Sequence, residues 1–98
     1  MSVNPLEIKV DLLWYIGKQV EKKGRCSMNV SLELPDEARY SAFQYLKQQD
    51  FISTVEERCK ETHDLQAECR LTDQGRRVYQ QIKQGYHALV SSLASELP

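Results

Sequence analysis

Ninety-eight residues with 41% hydrophobic content bound the chain to one small domain, residues 1–98, with a modest core. A formal net charge of −1 excludes a global polycation holding nucleic acid by bulk attraction. No apolar run approaches bilayer length and the start MSVNPLEIKVD lacks a signal-peptide core, so a cytoplasmic protein without a membrane partner is expected.

The first helix is expected to open at Asn4-Pro5-Leu6-Glu7. Asn4 can cap it, Pro5 suits the first helical position, and Glu7 can complete a capping box. Leu6, Val10, Leu13, Gly17 and Val20 recur on one side, and Ile8, Leu12, Tyr15 and Ile16 widen the stripe. A helix apolar over much of its circumference is central to a core or shared with a partner. Lys22, Lys23 and Gly24 close it, the cations at the negative end of the dipole.

Cys26, Met28, Val30, Leu32 and Leu34 alternate with polar residues, which predicts a strand over 26–34 with room for a short helical turn inside it. Pro35-Asp36-Glu37 then opens a helix running to about Gln49. Its buried side is expected to hold Ala38, Ala42, Phe43, Tyr45 and Leu46. Two strands follow. Phe51, Val55 and Cys59 share one parity, broken by Ile52, whereas Leu65, Ala67, Cys69 and Leu71 alternate strictly with Gln66, Glu68 and Arg70. Strict alternation is what a half-buried strand requires. Residues 60–64 between them are polar and hold no Asn-Gly or Asp-Gly pair, so a longer loop is expected rather than a tight turn.

Thr72-Asp73-Gln74-Gly75 ends the last strand and caps a long final helix over about 73–95. Val78, Ile82, Gly85, Leu89 and Leu93 form a seam along it. The expected fold class is α+β, in the order α-β-α-β-β-α.

The segment from Leu34-Pro35-Asp36-Glu37-Ala38 to Tyr45-Leu46-Lys47-Gln48-Gln49-Asp50-Phe51-Ile52 resembles the recognition helix and first wing strand of winged helix-turn-helix proteins. Leu71-Thr72-Asp73-Gln74-Gly75-Arg76 resembles the wing-to-helix exit of the MarR and PadR regulators. The likeness spans roughly 34–79 and departs from the pattern twice. Only 25–34 is available for the helix that precedes the recognition helix, and Asp50 stands where the family usually has glycine. The second helix is therefore expected to be shortened or missing, or the domain to be a different α+β fold.

The resemblance implies a winged-helix-like DNA-binding domain with 35–49 in a major groove. Arg39, Tyr40, Gln44 and Lys47 would contact the duplex, and Arg58 and Lys60, with His63, would meet backbone or minor groove. Set against this, 26–50 carries Arg39 and Lys47 against Glu33, Asp36, Glu37 and Asp50, and the hairpin is also net acidic. The bland reading of these side chains is a solvated surface. The basic excess lies in Lys18, Lys22, Lys23 and Arg25 and in Arg76, Arg77 and Lys83, two clusters able to flank a groove if their helices meet.

Three cysteines, an odd count, fit a reducing compartment better than a disulfide framework. Cys59, His63 and Cys69 lack the closely paired spacing of a zinc site, and Cys59 and Cys69 are expected to face the core. No metal, cofactor or small-molecule substrate is expected. His63 and His87 have no serine or cysteine partner at recognisable spacing and no glycine-rich phosphate loop occurs, so an enzyme is not expected. A homodimer through Trp14, Tyr15, Val78, Ile82, Leu89 and Leu93 is expected, the bland alternative being that the terminal helices pack on each other in one subunit. The functional expectation is a dimeric transcriptional regulator binding double-stranded DNA. The alternative is a non-enzymatic protein–protein interaction module on the same scaffold.

Overall fold

The computed structural model describes the backbone over 5–96 and side chains over 6–85. The expected cap Asn4 and the side chains of His87, Leu89 and Leu93 lie outside the described residues. Seven elements follow one another: α1 (Pro5–Lys23), β1 (Cys26–Asn29), α2 (Val30–Glu33), α3 (Glu37–Gln48), β2 (Ile52–Arg58), β3 (Leu65–Leu71) and α4 (Asp73–Glu96). This is an α+β fold of four helices and one three-stranded antiparallel sheet, strand order β1-β3-β2. No helix among the described residues is long and apolar enough to cross a membrane.

The expected order α-β-α-β-β-α is corrected by one element, because the stretch expected as a single strand divides at Asn29. The Asn29 side chain accepts from the Leu32 N–H at 3.1 Å, and the Glu33 carboxylate accepts from the Asn29 N–H at 2.7 Å. These local bonds satisfy donors that a continuing strand would offer to a neighbour, and they turn the backbone into one helical turn. Val30 and Leu34 are buried while Leu32 is 72% exposed. Positions 30 and 34 suit either period; Leu32 distinguishes them, and it faces solvent.

In α1 the buried residues are Leu12, Leu13, Ile16 and Gly17, whereas Leu6, Val10 and Tyr15 are exposed, so the apolar stripe is only partly covered. Gly24 ends the helix at φ 81°, its N–H donating to the Val20 carbonyl at 2.7 Å, the left-handed stop that glycine makes without strain. Helix α3 starts two residues later than the expected opening at Pro35: Asp36 is the cap, accepting from the Arg39 N–H at 2.8 Å. It buries Ala42, Phe43 and Leu46, while Ala38 and Tyr45, expected inside, are exposed.

In β3 the inward residues are Ala67, Cys69 and Leu71, with Leu65 half-buried. The parity expected for β2 is reversed. Ile52 is buried and Thr54 half-buried, while Val55 is 74% exposed. Pairing explains it: Thr54 lies opposite inward Cys69, and Val55 opposite Glu68, so the register with β3 overrides apolarity. All helices that bury core residues lie over one face of the sheet. The other face, with Ser53, Val55, Glu57, Gln66 and Arg70, is exposed.

Thr72 locks the sheet to α4. Its hydroxyl donates to the Asp50 carbonyl at 2.6 Å and accepts from the Gly75 N–H at 3.0 Å. A Cβ at Gly75 would run into the Phe51 carbonyl, so only glycine lets the helix start this close to the α3–β2 link. The core joins Leu12, Leu13 and Ile16 of α1 to Phe43 and Leu46 of α3, Cys26, Met28, Ala67 and Cys69 of the sheet, and Tyr79 of α4.

Candidate functional site

Five of the six side chains expected to meet DNA are engaged within the chain. Arg39 Nε lies 3.5 Å from the carboxylate of its own helix cap, Asp36. Lys47 Nζ donates to Glu56 on β2 at 2.6 Å and lies 5.2 Å from the Phe43 ring centre. Arg58 donates to the His63 carbonyl at 2.7 Å and closes the 59–64 loop, where His63 itself adopts φ 61°. Gln44 donates to the Tyr40 hydroxyl at 2.8 Å. Lys60 is exposed near the loop tip.

Two of the six meet at one place. Tyr40 and Arg58 share an open depression of about 450 Å³ with Pro35, Asp36, Glu37 and Leu65. Its two carboxylates offset its one guanidinium. Lys47 belongs instead to the α3–β2 packing and reaches the sheet. The outward side of α3 is dominated by neutral polar groups: Tyr40, Ser41 and Gln48 are exposed and Gln44 half-buried.

A larger groove of about 760 Å³ runs between α1 and the α2–α3 turn. Ile8, Leu12, Met28 and Leu34 line it, with Asp11, Glu33 and Asp36 also on its walls. The second apolar set of α1, Ile8, Leu12 and Tyr15, was its signal in the sequence. The Tyr15 hydroxyl donates to Glu33 at 3.2 Å. Burial first, then the Glu33 charge, raises the Tyr15 hydroxyl above its ordinary value, because both disfavour a phenolate there.

The expected dimer residues divide. Trp14 is half-buried, its ring 5.6 Å from that of Tyr79 and 4.9 Å from Lys18 Nζ. Val78 and Ile82 pack against the chain's own core. Tyr15 is 40% exposed. Helices α1 and α4 therefore pack on each other within one chain, and Leu89 and Leu93 fall beyond the described side chains.

Cys26 and Cys69 are register partners, both free and buried. Burial first of all pushes the Cys26 thiol up to about 11 and the Cys69 thiol up to about 12, so neither is a poised nucleophile. Cys59, half-buried rather than in the core, is lowered first by the Thr62 hydroxyl. Among the described residues no group of three His, Cys, Asp or Glu side chains is placed to hold a metal ion.

Compared with protein-family models, curated proteins and solved structures, the chain matches none. What its surfaces do has to be read from the residues themselves.

One cation of the second basic cluster, Lys83, reaches α1. The Tyr79 hydroxyl donates to Glu21 at 2.6 Å and Lys83 Nζ to the same carboxylate at 2.7 Å, which ties the C-terminal half of α1 to the first turns of α4.

Proposed function

We propose that this chain is a winged-helix-like DNA-binding protein, a cytoplasmic, non-enzymatic transcriptional regulator that works as a homodimer. The observation that carries the reading is the succession of one-turn α2, α3 and a long hairpin, with a polar side of α3 turned away from the core. Tyr40, Ser41, Gln44 and Gln48 offer hydroxyls and amides of the kind that read base edges in a major groove. Asp50 supports the likeness as well. It adopts φ 61° just before β2, the backbone conformation for which related domains use glycine.

The test is selection from a random duplex library, followed by affinity measurement on the enriched sequence. Enrichment of one sequence is expected, and Tyr40→Ala with Gln44→Ala should cost roughly 1–3 kcal/mol on that sequence, the worth of one good base contact. A library that yields no preferred sequence after repeated rounds would refute the reading.

A second reading, a protein-interaction module, is favoured by a specific observation. Arg39, Lys47 and Arg58 are all held by partners inside the chain, while the groove between α1 and α3 combines an apolar floor with carboxylates. Recovery of a protein through that groove, lost on Leu12→Asp with Ile8→Asp in a folded variant, supports this second reading.

A further inference from the structure

Charge in this chain is sorted by location. The second half of α1 with Arg25, and the region from Glu68 to Lys83, hold eight cations (Lys18, Lys22, Lys23, Arg25, Arg70, Arg76, Arg77, Lys83) against three carboxylates (Glu21, Glu68, Asp73). The remainder has five cations and eleven carboxylates. A nearly neutral chain thus sorts its charge by segment.

The fold sets these segments on adjacent elements. Glu21 receives Tyr79 and Lys83, which sets α1 and α4 side by side. Lys18 lies over Trp14, whose ring meets Tyr79 across the same seam. Arg25 reaches Glu68 on β3 at 3.7 Å, and Arg70 reaches the same carboxylate at 3.3 Å. Two of the three acids are therefore taken up, Glu21 by Lys83 and Glu68 by two guanidinium groups, and Asp73 sits in the first turn of α4. Lys18, Lys22, Lys23, Arg76 and Arg77 are exposed. Among the described residues none of these five is within ion-pair distance of a carboxylate. The depressed pKa of Glu21, caused first by its bond from Lys83, agrees with a positive surrounding.

We propose that this α1–α4 face binds the phosphate backbone of a nucleic-acid duplex, without reading its sequence and independently of α3. Lys22, Lys23, Arg76 and Arg77, exposed and without a carboxylate partner among the described residues, lie on two packed helices and are the electrostatic footprint of a phosphate-binding surface, with Lys18 beside Glu21 and Trp14. Lys18 and Lys22 stand one helical turn apart, about 6 Å along the axis, close to two base-pair rises of a duplex at about 3.4 Å each. Arginines add planar donors that match phosphate oxygens. An anionic membrane is the weaker fit, since interfacial binding needs an apolar side to insert. Among the described residues, the exposed large apolar side chains Leu6, Val10, Tyr15, Leu32, Tyr40, Tyr45 and Val55 all lie outside this set, and Trp14 is half-buried against Tyr79 in a tilted ring pair.

The inference does not rest on the α3 reading, and one anisotropy titration separates them. The whole chain is titrated into a labelled mixed-sequence duplex and, in parallel, into phosphatidylserine vesicles. With four phosphates neutralised, affinity should fall by about two orders of magnitude between about 50 and 200 mM salt. Lys22→Ala, Lys23→Ala, Arg76→Ala and Arg77→Ala combined should weaken binding roughly tenfold or more at the lower salt and flatten the slope. Circular dichroism and urea unfolding verify that this surface variant is folded. Tyr40→Ala with Gln44→Ala should keep the parent's salt slope on this duplex, since neither side chain is a cation that displaces counterions. Equal binding by the quadruple variant, no binding by the parent at micromolar protein, or tighter binding to vesicles than to duplex would each overturn the proposal. Loss of duplex binding only in the Tyr40 and Gln44 variant would overturn it too, while leaving the α3 reading intact.

Discussion

The ring of Tyr79 occupies the space that a side chain at Gly17 would need. A Cβ built at that position collides with the ring, and Tyr79 is 1% exposed with its hydroxyl held by Glu21. The seam between α1 and α4 is therefore set by one missing methyl group. Gly17→Ala should lower stability by about 1–3 kcal/mol through overpacking, even though alanine is the better helix former. Gly85, with nothing near its Cβ direction, serves as the control: Gly85→Ala should raise stability by roughly 0.5–1 kcal/mol. Urea midpoints of the two variants should move in opposite directions. A Gly17→Ala chain as stable as the parent would contradict this account of the seam.

Stability should fall on the alkaline side before other chemistry intervenes. Tyr79 is pushed up to about 12 by burial first and then by its bond to Glu21, and burial raises Cys26 to about 11 and Cys69 to about 12. Each group holds its proton more tightly in the folded chain than in the unfolded one. The associated stability is complete below the ordinary values of 9.0 for the thiols and 10.0 for the phenol. It is lost as pH rises towards 11 and 12. Glu21 works in the opposite sense: lowered first by Lys83 and then by Tyr79, it contributes above its ordinary value of 4.5 and loses that contribution as pH falls. Urea midpoints across pH should show a plateau from about 5 to 9 with a decline on each side. Glu21→Gln should remove part of the acid limb and leave the decline above pH 9 caused by the two thiols. A flat profile up to pH 11 would rule out the burial assigned to these groups.

Asp50 sits at φ 61° and uses its backbone fully. Its N–H donates to the Lys47 carbonyl at 3.1 Å and its carbonyl accepts from Thr72 at 2.6 Å. The side chain enters neither bond, so a residue without one keeps both. Asp50→Gly is expected to stabilise the chain by up to about 1 kcal/mol by relieving the left-handed backbone, and Asp50→Val to destabilise it by a comparable amount or more. Thermal midpoints of the pair decide the matter; a glycine variant that melts earlier than the parent would show that the aspartate side chain contributes something unrecognised.

The seam expected along α4 is described only in its first half. Val78 and Ile82 pack on the chain's own core, so Ile82→Ala should cost about 1–2 kcal/mol of monomer stability, at the lower end for a half-buried site. Leu89 and Leu93 carry the proposed dimer. Leu89→Asp with Leu93→Asp should convert a sedimenting dimer to a monomer, with the near-ultraviolet signal of Trp14 unchanged. A parent chain that sediments as a monomer at tens of micromolar would remove the dimer from the proposed function.

Local rules were enough for much of the fold. The cap at Thr72, the stop at Gly24 and the opening near Asp36 are each decided by hydrogen bonds within a few residues, and the strand from Leu65 to Leu71 shows in its period of two, so the sequence alone determined α1, α3, β3 and the start of α4. The division at Asn29 was harder to see because Val30 and Leu34 satisfy a period of two and a helical turn equally well. Tertiary structure decided the rest. Val55 faces solvent because no layer covers that side of the sheet, and Lys47 is withdrawn from any ligand by Glu56, nine residues on. Lys83 is brought to α1 by Glu21, 62 residues away in the chain. Periodicity assigns a side chain to one side of its own element, but which carboxylate neutralises it and which cations stand beside it depend on how distant elements pack.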